Sequence, residues 1–72
     1  MEWKAVIVKG TWILIGIVPG ADRSDYIRNA EHDFKDDYDY WTKLGYDLDV
    51  ITTAEYWEGK KQCAAMGAAL AG

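Results

Sequence analysis

The sequence predicts one α+β domain spanning residues 1–72, a three-stranded antiparallel sheet with two helices in the order ββαβα. Three observations predict it. Two runs rich in β-branched and aromatic residues, Trp3 to Val8 and Trp12 to Val18, flank Lys9-Gly10. Apolar residues then recur every three or four positions from Asp22 to Leu44. A short alternating run, Tyr46 to Ile51, leads into a second helical stretch opened by Thr52.

The first two runs read as a hairpin, with Gly10 supplying the positive φ that a two-residue loop demands. That loop pairs Val8 with Thr11, Ile7 with Trp12, Val6 with Ile13, Ala5 with Leu14, Lys4 with Ile15 and Trp3 with Gly16. One face then holds Trp3, Ala5, Ile7, Trp12, Leu14 and Val18; the other holds Val6, Val8, Ile13, Ile15 and Ile17. Trp3 opposite Gly16 fits an aromatic ring covering a strand glycine. Neither face is polar, so the hairpin must be covered on both sides or bury one side against another chain. The expectation is a homodimer through Ile13, Ile15 and Ile17.

Pro19-Gly20 ends the second strand, since proline removes a ladder donor and glycine releases the chain into a turn. Asp22 caps the next helix, Asp25 suits its positive end, and Lys43 with Gly45 closes it. Its stripe is Ile27, Ala30, Phe34, Tyr38, Trp41 and Leu44. A helix of that length runs roughly 33 Å against roughly 23 Å for a seven-residue strand. It therefore overhangs or breaks, and a break belongs near Lys35-Asp36-Asp37, where aspartates cluster and repel.

Tyr46, Leu48 and Val50 alternate with Asp47 and Asp49 as an edge strand charged on its outer side. Thr52 and Glu55 form a capping box, with Ile51 and Tyr56 placed as a hydrophobic staple. The helix that follows carries Tyr56, Cys63, Met66 or Gly67, and Leu70 along one side, weakened by about 1 kcal/mol at Gly59. Setting the third strand beside the first, order 2-1-3, makes every pair antiparallel; beside the second it needs a parallel crossover. The first arrangement is expected.

A chain of 72 residues buries only about 60% of its unfolded surface. Cys63 is the sole cysteine, so no intrachain disulfide staples the fold, and a reducing, cytoplasmic setting is the simplest reading. Trp12 to Val18 is too short to cross a bilayer, and the N-terminus does not read as a signal peptide. A formal net charge of −4 argues against sequence-independent nucleic-acid binding, which needs a basic footprint. Proteins, basic ones in particular, are the expected partners.

The segments EWKAVIV-KG-TWILIGIV-PG, the acidic helix and DLDVITTAEYWE together resemble the layout of small accessory proteins encoded by bacterial viruses, including anti-CRISPR and other host-takeover inhibitors. The resemblance covers most of the chain and implies inhibition by binding rather than catalysis. It carries no residue role with it.

Two constellations fit such a role. Glu31, Asp33, Asp36, Asp37, Asp39, Asp47 and Asp49, interleaved with Tyr38, Tyr40 and Tyr46, form an acidic band able to meet arginines through charge-assisted hydrogen bonds and stacking. The plainer reading is a solvated face that keeps the chain soluble. Four Trp and five Tyr exceed what so small a core holds, making Trp12, Tyr40 and Trp57 contact candidates against partial burial at the sheet edges. His32 and Asp36 stand one helical turn apart, but a single histidine makes a poor metal site, and no metal or other cofactor is expected. Cys63 lacks an activating neighbour and reads as a small buried helix residue, so no catalytic residue is assigned.

Overall fold

Alternation of apolar residues on β1 (Glu2–Val8) places Ala5 and Ile7 on one side and Val6 and Val8 on the other, and all four are buried. A computed structural model, describing the backbone of residues 1–71 and the side chains of residues 1–63, shows what covers each side. The order is β1, β2 (Leu14–Gly20), α1 (Arg23–Asp33), α2 (Lys35–Lys43), β3 (Leu48–Thr52) and α3 (Thr53–Ala71). β1 lies centrally between β2 and β3, antiparallel to both. This is the expected α+β sheet in the expected order. The packing group assigned to Met66, Gly67 and Leu70 lies outside the described residues.

The hairpin register differs from the expected one. Five residues, 9–13, link the strands: Thr11 N donates to the Val8 carbonyl at 3.0 Å, closing a turn with Gly10 at φ 82°, and Val8 N donates to Ile13 O at 2.9 Å. Trp12 and Ile13 thus stand before β2. Ala5 pairs with Ile17 and Val6 with Gly16, whereas Ile7 pairs with Leu14, so Ile15 is the extra residue of a bulge. Beyond the bulge Ile17 and Val18 exchange the faces expected of them. Ile15 keeps its expected side with Val6 and Val8, but Tyr26 and Ala30 of α1 cover that side and leave it 2% exposed, so Ile13, Ile15 and Ile17 do not form one exposed contact face. Ile13 lies exposed in the loop and Ile17 is half-buried on the opposite side.

The larger core joins Val6, Val8, Ile15, Val18 and Leu48 to Tyr26 and Ala30 of α1, with Ile27, Tyr38, Trp41 and Val50 packed around it. Fully burying each such aliphatic side chain contributes about 1.5–3 kcal/mol before the entropy of ordering it is charged. Side chains of α1 also hold sheet carbonyls: Arg23 Nη2 donates to Leu48 O at 2.8 Å, Tyr26 Oη to Glu2 O at 2.9 Å and Asn29 Nδ2 to Pro19 O at 2.7 Å. Asp22 caps α1, its Oδ1 accepting from Asp25 N at 2.9 Å.

The long helix does break, at Phe34 (φ −130°, ψ 48°), one residue ahead of the expected acidic cluster. Its ring covers Gly16 so closely that a Cβ there would fall well inside the 3.0 Å that real Cβ atoms keep. A strand glycine is thus shielded by an aromatic ring, but the ring is Phe34; Trp3 pairs with Pro19. At the end of α2, Gly45 at φ 91° sends its N–H to Thr42 O at 3.0 Å and Tyr46 its N–H to Trp41 O at 3.2 Å, with Trp41 and Tyr46 in edge contact. That is a Schellman cap with its hydrophobic contact. It takes Tyr46 out of β3 and leaves Leu44, expected in the packing stripe, 58% exposed.

On the other side of the sheet Ala5, Ile7 and Tyr56 form a smaller core, with Leu14, Ile17 and Ile51 half-buried around it. The capping box is present: Glu55 N donates to Thr52 Oγ1 at 3.0 Å and Thr52 N to Glu55 Oε1 at 3.3 Å. Trp3 stays 59% exposed. Both sheet edges carry stoppers. On β3, Arg23 occupies Leu48 O and the Asp49 carboxylate accepts from Val50 N at 2.9 Å; on β2, Pro19 has no N–H and Asn29 occupies its carbonyl.

Candidate functional site

Helix α2 lies against the larger core through Tyr38 and Trp41, yet none of its residues is fully buried. Helical spacing then fixes its outward face: Tyr40 points away from the core, with Asp36, Asp37, Lys43 and Leu44 beside it. Tyr40 is 60% exposed and meets Trp41 edge-on at 5.0 Å, and Trp41 meets Tyr46 at 5.5 Å. The three rings form a ladder from the exposed face to the Schellman cap. The result is an aromatic and aliphatic strip, Tyr40, Leu44 and Tyr46, flanked by Asp36, Asp37 and Asp47, all of them exposed.

The expected acidic residues are not equivalent. Asp39 Oδ2 lies 3.3 Å from Lys35 Nζ and is half-buried, Asp49 pairs with Arg23 at 3.2 Å, and Asp33 stands 2.9 Å from His32 Nδ1. Asp36 and Asp37 have no ion-pair partner among the described residues and occupy the first turn of α2, where carboxylates suit the helix dipole. Tyr38, beneath this face, has its hydroxyl pKa raised above the ordinary value by burial first, and then by the neighbouring Glu31 carboxylate.

Trp12 and Trp57 do not join this strip. Both belong to the opposite side of the sheet: Trp12 lies on Gly59 of α3, and Trp57 meets Tyr56 edge-on at 5.2 Å. The seven expected contact residues therefore divide, Asp33, Asp36, Asp37, Asp39 and Tyr40 on or beside α2 and the two tryptophans on the α3 side. Leu44 is the strip residue that the sequence reading placed in the packing stripe, and Tyr46, read within the acidic band, was also assigned to the edge strand; Gly45 was the signal that could have corrected both, since a Schellman cap ends the helix at Leu44 and folds Tyr46 back onto Trp41. Cys63, read as buried, is exposed. Among the described residues no three histidine, cysteine or carboxylate groups gather as metal ligands, and no helix is long and apolar enough to cross a membrane.

A cleft of about 490 Å³ adjoins the strip, floored by Ile27 and Leu48 and walled by Tyr38, Thr42, Tyr46 and Asp47. Lys9 and Arg23 stand at it, Arg23 already bonded to Leu48 and Asp49. No family model matches the chain, and neither does any curated protein or solved structure.

Proposed function

We propose that this chain is a non-catalytic protein-binding module, a small cytoplasmic inhibitor or adaptor of the bacterial-virus accessory kind, that meets a basic partner through the outward face of α2. The observation that supports this reading is the strip itself: α2, which buries none of its residues completely, and the cap that ends it present Tyr40, Leu44 and Tyr46 beside Asp36 and Asp37, which have no ion-pair partner among the described residues. Contiguous exposed aromatic and aliphatic groups mark interaction surfaces, and Tyr is enriched where binding energy concentrates. Carboxylates around the rings steer and select a partner rich in arginine and lysine, more through association rate and specificity than through raw affinity.

The test uses immobilised chain and host extract at low salt. A foreign protein retained in stoichiometric amount, released by salt, and lost both from Tyr40→Ala and from the combined Asp36→Asn, Asp37→Asn, Asp39→Asn variant is the expected result. Equal retention by wild type and variants removes the α2 face from the function. Recovery of the chain's own copies alone favours the alternative, an assembly subunit, for which the exposed Trp3 beside half-buried Ile17 is the supporting feature.

A further inference from the structure

The indole of Trp12 sits on the side of the sheet away from α2, held by its loop from one direction and by α3 from the other. Thr11 stiffens the loop, its hydroxyl donating to Val8 O at 2.8 Å and accepting from Ile13 N at 3.0 Å. On α3, a Cβ built at Gly59 would fall almost equally close to Cη2, Cζ2 and Cζ3 of the indole. A point off the ring's edge sees the nearest atom much closer than its two neighbours; only a point over the ring sees all three alike. The indole therefore lies flat on the α3 backbone. With one face so used, 40% of the residue's surface is still open.

Three shallow grooves share this ring as a wall. One of about 470 Å³ carries Glu55 and Glu58, and one of about 330 Å³ carries Asp49 and Glu55; neither includes a cation. The third, about 580 Å³, includes Lys60, but that ammonium is turned to Tyr56, 3.2 Å from its hydroxyl and 5.6 Å from its ring centre. Glu55 spends one oxygen on the capping box and Glu58 one on Gln62 Nε2 at 3.2 Å, which leaves the second oxygen of each for another donor.

A seated indole presents a negative π face, and carboxylates at its margin add to that field. The group that satisfies both is a flat cation with several N–H donors, which is the guanidinium of arginine. We propose that Trp12, Glu55 and Glu58 form a binding site for an arginine side chain of a partner polypeptide, the guanidinium stacked on the open indole face and donating to the glutamates. A nucleobase would stack equally well, but its phosphates would face the same carboxylates. A second copy is a poor occupant, because the chain's two arginines are already engaged, Arg23 with Leu48 and Asp49, and Arg28 with Asp25. This surface is separate from the α2 strip and stands or falls without it.

The test follows the Trp12 indole N–H in the ¹⁵N-labelled chain, assigned with Trp12→Phe, during titration with acetyl-Gly-Arg-Gly-amide, its citrulline counterpart and adenosine monophosphate. The arginine peptide is expected to shift that signal saturably with a Kd on the order of millimolar. Citrulline, flat but uncharged, is expected to bind roughly 2–5-fold more weakly, the worth of an exposed cation–π contact. Glu58→Gln, an exposed change that leaves the fold alone, should weaken the arginine peptide and not the citrulline one. Equal binding of the two peptides, equal or tighter binding of the nucleotide, or no saturable shift by ~10 mM would overturn the proposal. So would a Trp12 signal that moves with protein concentration alone, which marks a self-interface.

Discussion

Two glycines under aromatic rings show how differently the same residue type works. At Gly16 the Phe34 atoms in the way include Cγ, close to the backbone, so an added methyl cannot be relieved by rotating the ring alone. Gly16→Ala must move the hinge between α1 and α2, and a cost of about 1–3 kcal/mol in urea unfolding is expected. At Gly59 the atoms in the way are the outer end of the Trp12 indole, carried by a partly exposed loop. Gly59→Ala gains about 1 kcal/mol of helix propensity and displaces the indole, so it should leave stability near wild type while making Trp12 more open to fluorescence quenching. Tyr38 supplies a pH-dependent term. Its folded pKa is raised, so the native state holds the phenol proton more tightly than the unfolded chain. The stabilisation is fully present below about pH 10 and is lost as pH rises through the higher folded value. Tyr38→Phe should flatten the alkaline fall in melting temperature; an identical fall in the variant would assign it elsewhere.

Among the elements, those set by local rules were legible and those set by distant packing were not. The Thr52–Glu55 box and the Asp22 cap depend on four consecutive residues and were read correctly from the sequence. Gly45 was likewise read as a helix end, but its consequence, that Leu44 leaves the packing stripe and Tyr46 folds back onto Trp41 instead of entering β3, belongs to the Schellman geometry and was missed. The hairpin was misread for a physical reason. Lys9-Gly10 looked like a complete two-residue loop, whereas the Thr11 hydroxyl bonds on both sides of itself and lengthens the loop to five residues. One residue of bulge then changed which half of β2 faces α1. The acidic part of the candidate site was legible because Asp36, Asp37 and Tyr40 share one short helix. Its separation from Trp12 and Trp57 was not, because face assignment across a sheet depends on a chain path that spacing alone does not carry. At this scale the capping box gives a measurable expectation: Thr52→Ala should cost about 1 kcal/mol, and amide exchange should speed first in the opening turn of α3.

For the whole molecule, the consequence that matters is a thin core divided by the sheet, ten buried apolar residues among the described ones, in two clusters of unequal size. A chain of this length has little stability to lose, so a charge driven into the larger cluster should unfold it rather than loosen it. The three isoleucines expected at a dimer contact provide a graded test, because the structure places them in three environments. Ile15 sits at the bulge among Val6, Val18 and Tyr26 and is 2% exposed; Ile17 is half-buried near Ala5 and Tyr56; Ile13 lies open in the loop. Ile15→Lys should abolish cooperative melting, since an unpaired ammonium in that site costs at least about 4 kcal/mol. Ile17→Lys should lower the midpoint without abolishing it, because a long side chain there can carry its charge out past the α3 side of β2. Ile13→Lys should stay within about 0.5 kcal/mol of wild type. Circular dichroism melts combined with sedimentation read the series. If all three variants instead remain folded and merely convert a dimer to monomers, the isoleucines share one exposed face, and the bulge that separates them is not the arrangement the chain adopts.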